Sequence, residues 1–262
     1  MENVYFNVYR DHMMGLPILG EIDNIHKISR DMIVGFHQRM YYGENMVIVA
    51  TGNVEHQMVV DLSEQHFGKL QRTNGGQEIL NLDTPKFNPG LLYVHDDLLP
   101  AQSLGVFYDA PSWADPDFYA FLLLQRIFGN YSMEFLHESL VDVNHQYNLM
   151  HDYLREIPEL QRYDSVYSPY SDCGIFGHYF SGDPRFTQHM SYLGGVIGQI
   201  MSEHLTDLDV TRAKYKLYQE LLSVQSASDV MQQYGPQFLY LDRKVTRTEI
   251  AERVSNLDAK AV

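Results

Sequence analysis

Apolar and polar positions recur along this chain with two different periods, and the changes of period mark out its elements. Ile33, Phe36 and Met40 fall at helical spacing behind Ser29, a good N-cap before Arg30 and Asp31, and predict a helix closed by Gly43. Met46 to Ala50 is an unbroken apolar run rich in Val and Ile, the pattern of a buried strand. A second helix is expected from about His56, with Val59, Leu62 and Phe67 facing inward and Gly68 as its stop. From Gln71 to Gly90 the periodicity is lost, and Asn74-Gly75-Gly76, Pro85 and Pro89 read as a linker.

Beyond the linker, Leu91 to His95 and Ser103 to Tyr108 read as strands. Asp115-Pro116-Asp117 opens a helix that Gly129 closes. Asn130 to Val166 carries no clear period. A strand follows over Gly174 to Phe180, then helices from about Pro184, Thr206, Asp229 and Thr246. Thr206/Asp209 and Thr246/Glu249 have the spacing of a capping box. Strands come first and helices after within each half, which predicts α+β rather than alternating α/β. The halves are not repeats of each other.

Composition narrows the function classes. The 262 residues are 45% hydrophobic and 20% charged, globular values with enough apolar surface for a real core. No apolar stretch approaches the roughly 18–20 residues needed to span a bilayer. A net charge of -15 disfavours nucleic acid, which calls for clustered Lys and Arg, and suits a cationic partner. Cys173 is the only cysteine, so an internal disulfide and a Cys-based zinc site are both excluded. Met1 to Phe6 is neither a signal peptide nor an Arg-rich transit peptide.

Candidate chemistry is sparse. His56 and His66, with Glu55 and Glu64, flank one helix nearly three turns apart, too far for a single ion. Glu134 and His137 form an E-x-x-H pair, which makes a metal site only with a second copy in a four-helix core, and the chain has no second copy. Asp172 has no Ser and His partners in a triad pattern, and reads as a turn residue before Gly174. Cys173 reads as a buried spectator. The 19 tyrosines, dense from Tyr163 to Tyr179, suggest a protein interface, and Trp113 a packing anchor. None of the 12 histidines belongs to an H-x-x-E-H motif.

Several short motifs fall in one order: Pro17-Ile18-Leu19-Gly20, Asn24-Ile25, Ile28-Ser29-Arg30-Asp31 and the stretch Asn45 to Gly68. Trp113-x-x-Pro116-Asp117-Phe118, Gly129-Asn130, Tyr170 to Tyr179, Arg212-Ala213-Lys214 and Gly235-x-Gln237 continue it. Together they resemble the pitrilysin-type (inverzincin) zinc peptidases. Within that family the resemblance is to the mitochondrial processing peptidase β subunit and the core protein of respiratory complex III. The absence of a glycine-rich run after Gly129-Asn130 makes the chain β-like rather than α-like.

The resemblance implies two homologous domains, each an antiparallel sheet covered by helices, around a chamber. Residues 1–70 would be the later half of the first domain, 71–90 the linker, and 91–262 the second domain without its last strand. The zinc-binding helices would lie upstream of Met1, so this chain would hold no cofactor, and zinc would come only from a partner chain. The family's acidic pair, expected to hold a basic presequence residue, falls here at Asn3 and Asn7, with Glu2 one slip away. An Asn supplies no charge for that contact. Tyr170, Ser171, Asp172, Gly174 and Gly177 would be a structural motif.

Two functions follow as expectations. One is a non-catalytic core subunit of complex III, peripheral on the matrix side of the mitochondrial inner membrane. Its partners would be an α-type subunit and other complex III subunits. The alternative is the remainder of a split β-type processing peptidase, cutting cationic presequences when joined to a chain that carries the zinc motif.

Overall fold

The computed structural model describes residues 1–74, 83–133, 149–203, 205–223 and 226–262. In chain order the helices and strands begin with α1 (Glu2–Val8), α2 (Ile22–Ile25), α3 (Arg30–Met40), α4 (His56–Phe67), β1 (Gln102–Ala110) and α5 (Phe118–Phe128). Then come β2 (Asn130–Ser132), α6 (His151–Leu154), β3 (Leu160–Pro169), β4 (Gly174–Gly182), α7 (Met190–Glu203), α8 (Asp207–Ser223), α9 (Ala227–Leu241) and α10 (Arg247–Ser255). Contacts divide the chain into two compact units, Met1–Gly90 with Ser223–Val245, and Leu91–Leu222 with Thr246–Val262. A second domain unbroken from 91 to 262 is not how the contacts divide, because α9 packs with the first unit.

In the first unit, α1 folds back on the segment after it and buries Val8 and Tyr9. Tyr9 meets Phe87 edge-on at 6.4 Å, and the Val8 carbonyl accepts from the backbone N–H of Asn88 at 2.8 Å. Within residues 83–90, expected as linker, Pro85 is buried, Phe87 and Asn88 are half-buried, and the rest are exposed. The Ser29 hydroxyl accepts from Met32 N–H at 3.3 Å and starts α3 where the cap rule places it. The helix stops at Met40, and Gly43 instead opens a 3-10 turn whose N–H donates to Gln71 O at 2.8 Å.

The faces expected to turn inward on α3 and α4 are open. Ile33 is 59% exposed, Phe36 52% and Leu62 45%. Met46 to Ala50 forms no strand and is only partly covered. The run lies beside α9, where Val49 approaches Gly235 and the Thr51 hydroxyl donates to Ala227 O at 2.6 Å. An apolar β-former becomes a strand only against a partner, and no described residue offers this run a ladder.

The second unit is built on a four-stranded antiparallel sheet in the order β1-β4-β3-β2. One face carries Leu104, Tyr108, Tyr163, Tyr167, Phe176 and Phe180 against Phe128, Leu154, Leu193, Val196 and Ile197 of the covering helices. The sequence expectation for β1, β4, α5, α8 and α10 holds. Gly129, at φ 64, closes α5 in a backbone region that side-chain-bearing residues avoid. Thr206 and Asp209 form a reciprocal capping box, with Asp209 N–H donating to Thr206 Oγ1 at 3.3 Å and Thr206 N–H to Asp209 Oδ2 at 3.1 Å. Thr246 caps α10 through Glu249 N–H at 3.1 Å, while the Glu249 carboxylate pairs with Arg253. Lys214 of Arg-Ala-Lys donates to Ser255 O and Leu257 O and so caps the far end of α10. Leu91 to His95, expected as a strand, is not one, and Leu91 is 95% exposed.

Candidate functional site

The structural motif from Tyr170 to Gly177 is a hairpin turn clamped to the segment after β1. Tyr170 N–H donates to Cys173 O at 2.8 Å and closes the turn, and Trp113 N–H donates to Tyr170 O at 2.9 Å. The Tyr167 hydroxyl donates to Pro111 O at 2.9 Å. A Cβ on Gly174 would run into the carbonyl oxygen of Pro111 and lie 2.8 Å from that of Ala110. At Gly177 it would meet the Phe107 ring and stand 2.5 Å from Val106 O. Both glycines therefore permit close backbone approach rather than any chemistry. Ser171 and Asp172 are exposed, Cys173 is buried, and Trp113 stacks on Phe118 at 5.3 Å.

Two tyrosines of this region, Tyr163 and Tyr167, are core residues, whereas Tyr170 and Tyr179 are half-buried and the Tyr179 hydroxyl donates to Ser103 Oγ at 2.8 Å. Tyr163 is wholly buried and Tyr167 nearly so. Tyr163 Oη lies 2.9 Å from Nδ1 of His178, which is itself wholly buried. Phe128 meets the imidazole edge-on at 4.6 Å and Phe176 at 5.4 Å, with Tyr108 at 6.2 Å. Burial pushes the Tyr163 phenol well up and brings His178 down to about 4, so both are neutral near pH 7. His178 Nε2 has no hydrogen-bond partner among the described residues. His178 carries no role in the sequence reading. The signal was its place between Phe176 and Phe180 at period two, which puts it on the apolar face.

Asn3 and Asn7 share one face of α1 at i, i+4. Asn7 Nδ2 donates to Gly90 O at 3.2 Å, and Arg10 Nη1 donates to Asn7 O at 3.3 Å. The amide thus braces the end of the 83–90 segment, and the chain's own Arg10 lies beside Asn7. Glu2 accepts from Ile18 N–H at 3.3 Å.

Among the described residues no group of His, Cys, Asp and Glu is placed to hold a metal ion. Glu134 and His137 lie outside the described residues. His56 and His66 stand exposed on α4. Among the described residues no helix is long and apolar enough to cross a membrane. What the geometry supplies is a rigid sheet, a clamped hairpin and a neutral aromatic core.

Comparison with known proteins decides the family. The model described as "Peptidase M16 inactive domain" matches residues 27–217. The chain belongs to the peptidase M16 inactive-domain family. This M16 chain is 25% identical over 270 residues to the mitochondrial-processing peptidase subunit beta of Neurospora crassa, covering all of the chain and 55% of that protein. It is 26% identical over 265 residues to the human subunit beta, covering 99% of the chain and 52% of that protein. The chain thus spans about half the length of these relatives. Its fold is similar to a chain of complex III2 from Candida albicans, with TM-score 0.83 and 17% identity over 99% of this chain and 60% of that one. It is also similar to a Helicobacter pylori protease, with TM-score 0.75 and 16% identity over 99% of this chain and 61% of that one. The mixed α+β architecture of the M16 fold accounts for the antiparallel sheet and its covering helices.

Proposed function

We propose that this M16 chain is a non-catalytic core subunit of mitochondrial respiratory complex III, related to the processing peptidase β subunit. The reading is supported by the inactive-domain match over residues 27–217, by a fold similar to a chain of complex III2, and by Asn3 and Asn7 standing where the resemblance places an acidic pair. The clamped Tyr170–Gly177 hairpin and the buried aromatic core support a scaffold, since they hold the sheet in shape. The bracing of Gly90 by Asn7 supports it too, because the amide lacks the charge a presequence arginine would pair with. Its partners are an α-type subunit and other complex III subunits, on the matrix side of the inner membrane.

A second reading follows from the relatives, which are named as processing peptidase β subunits. Here the chain is one piece of a split peptidase, and zinc on a partner chain polarises the scissile carbonyl. A presequence cleavage assay on the native assembly, with and without chelator, separates the two. The core-subunit reading expects no cleavage above background in either condition. Chelator-sensitive cleavage that co-fractionates with this chain would overturn it.

A further inference from the structure

The stretch after α1 is held by a histidine ring used as an acceptor. His12 precedes the 3-10 turn Met13–Gly15, and its Nδ1 accepts from Met14 N–H at 3.1 Å. A neutral imidazole has one donor and one acceptor nitrogen, so the ring proton is on Nε2. Nε2 is buried and has no hydrogen-bond partner among the described residues. The turn is tight. His12 N–H donates to Tyr9 O at 2.9 Å and Gly15 N–H to His12 O at 3.0 Å, and a Cβ on Gly15 would stand 2.5 Å from Tyr9 O. Leu16, Ile18 and Leu19 leave this turn exposed to solvent, with Glu2 accepting from Ile18 N–H at 3.3 Å.

No carboxylate is placed to balance a charge on the ring. Glu2 is engaged with Ile18, Arg10 donates to Asn7 O, and Asp11, Asp83 and Lys86 stand exposed. Tyr5 and Tyr9, whose carbonyls face Gly15, stack their phenols on each other at 6.1 Å. Among the described residues His12 forms no ion pair. Protonation makes both ring nitrogens donors. Nδ1–H then points at Met14 N–H with no acceptor between them, and the positive charge lies unpaired with Nε2 out of solvent. The closed turn and the imidazolium exclude each other.

We infer that His12 is a pH-sensitive latch, which holds the Met13–Gly15 turn closed when neutral and frees Met13 to Leu19 from α1 when protonated. The latch is shut where histidine is neutral and opens as the pH falls through the range in which histidines take up a proton. Opening changes the presentation of the apolar side chains Leu16, Ile18 and Leu19 without any change in the sheet of the second unit.

The test follows amide hydrogen exchange of the full chain at about pH 7.5 and about pH 5.5, on either side of the usual histidine titration, each rate referred to its intrinsic value at that pH. Protection of Met14 and Gly15 should fall at least about fivefold in acid, the effect that loss of a cap brings. His12→Asn keeps an acceptor for the N–H two residues on but cannot titrate, so its protection should not change with pH. His12→Ala has no acceptor and should be open at both. Flat profiles in both variants beside a falling native one support the latch, at whatever level they lie. Loosening through His178 would appear in all three proteins alike. Native protection that does not change, or an equal acid loss in the variants, would overturn the assignment.

Discussion

Tyr163 Oη and His178 Nδ1 lie 2.9 Å apart inside the second unit, and neither residue reaches solvent. The phenol keeps its proton and the imidazole stays neutral, so the hydroxyl can donate to Nδ1 and leave the Nε2 proton among aromatic rings. A charged imidazolium would have to lie unpaired in that core.

Acid should therefore weaken the fold. The His178 pKa falls from 6.5 to about 4 on folding, so between those values the unfolded chain binds a proton that the folded chain does not. Stability from this group is complete above pH 6.5 and is lost progressively down to about pH 4, by about 3 kcal/mol in all. Urea titrations across that window should give a falling midpoint in the native sequence and a flatter profile in His178→Leu. An equal slope in both proteins would place the acid sensitivity elsewhere.

Gly174→Ala and Gly177→Ala should each cost about 2–3 kcal/mol, because the new methyl meets backbone carbonyls that cannot retreat without breaking the β1–β4 ladder. Asp172→Asn, in the exposed turn between them and β3, should stay within about 0.5 kcal/mol. Thermal or denaturant unfolding of the three variants reads the contrast.

Tyr167→Phe removes only the hydroxyl that donates to Pro111 O. The ring stays packed against Phe118, Phe121 and Phe176, so the loss should be about 1 kcal/mol. A loss as large as that of the glycine variants would mean that the hairpin depends on this bond more than on close backbone packing.

Asn7→Asp tests whether the α1 face is bracing or binding. A carboxylate cannot donate to Gly90 O, so the variant should lose about 1 kcal/mol and become more open to protease at residues 83–90. It should gain no affinity for an arginine-bearing peptide, since Arg10 remains beside it. Tight peptide binding by Asn7→Asp would show that the face retains a substrate role.

Local chemistry was legible in the sequence, and long-range pairing was not. Ser29, Thr206 and Thr246 announce helix starts because a cap is set within a few residues. Met46–Ala50 and Leu91–His95 look like strands by composition, yet strand formation is a property of a pair, and neither has a ladder among the described residues. In β3 the polar tips of Tyr163 and Tyr167 disguised an inward face, since the hydrogen bonds that permit their burial come from His178 and from beyond β1. α9 belongs with the first unit through contacts of Thr51 and Val49, which no short-range pattern records.

The most direct test of the central claim is affinity purification of the native protein from gently solubilised mitochondria, with each co-purifying chain sequenced by mass spectrometry. A core subunit should bring down complex III subunits in stoichiometric amounts, none of them carrying an H-x-x-E-H motif. A stoichiometric partner carrying that motif would contradict the account and make this chain half of a working peptidase.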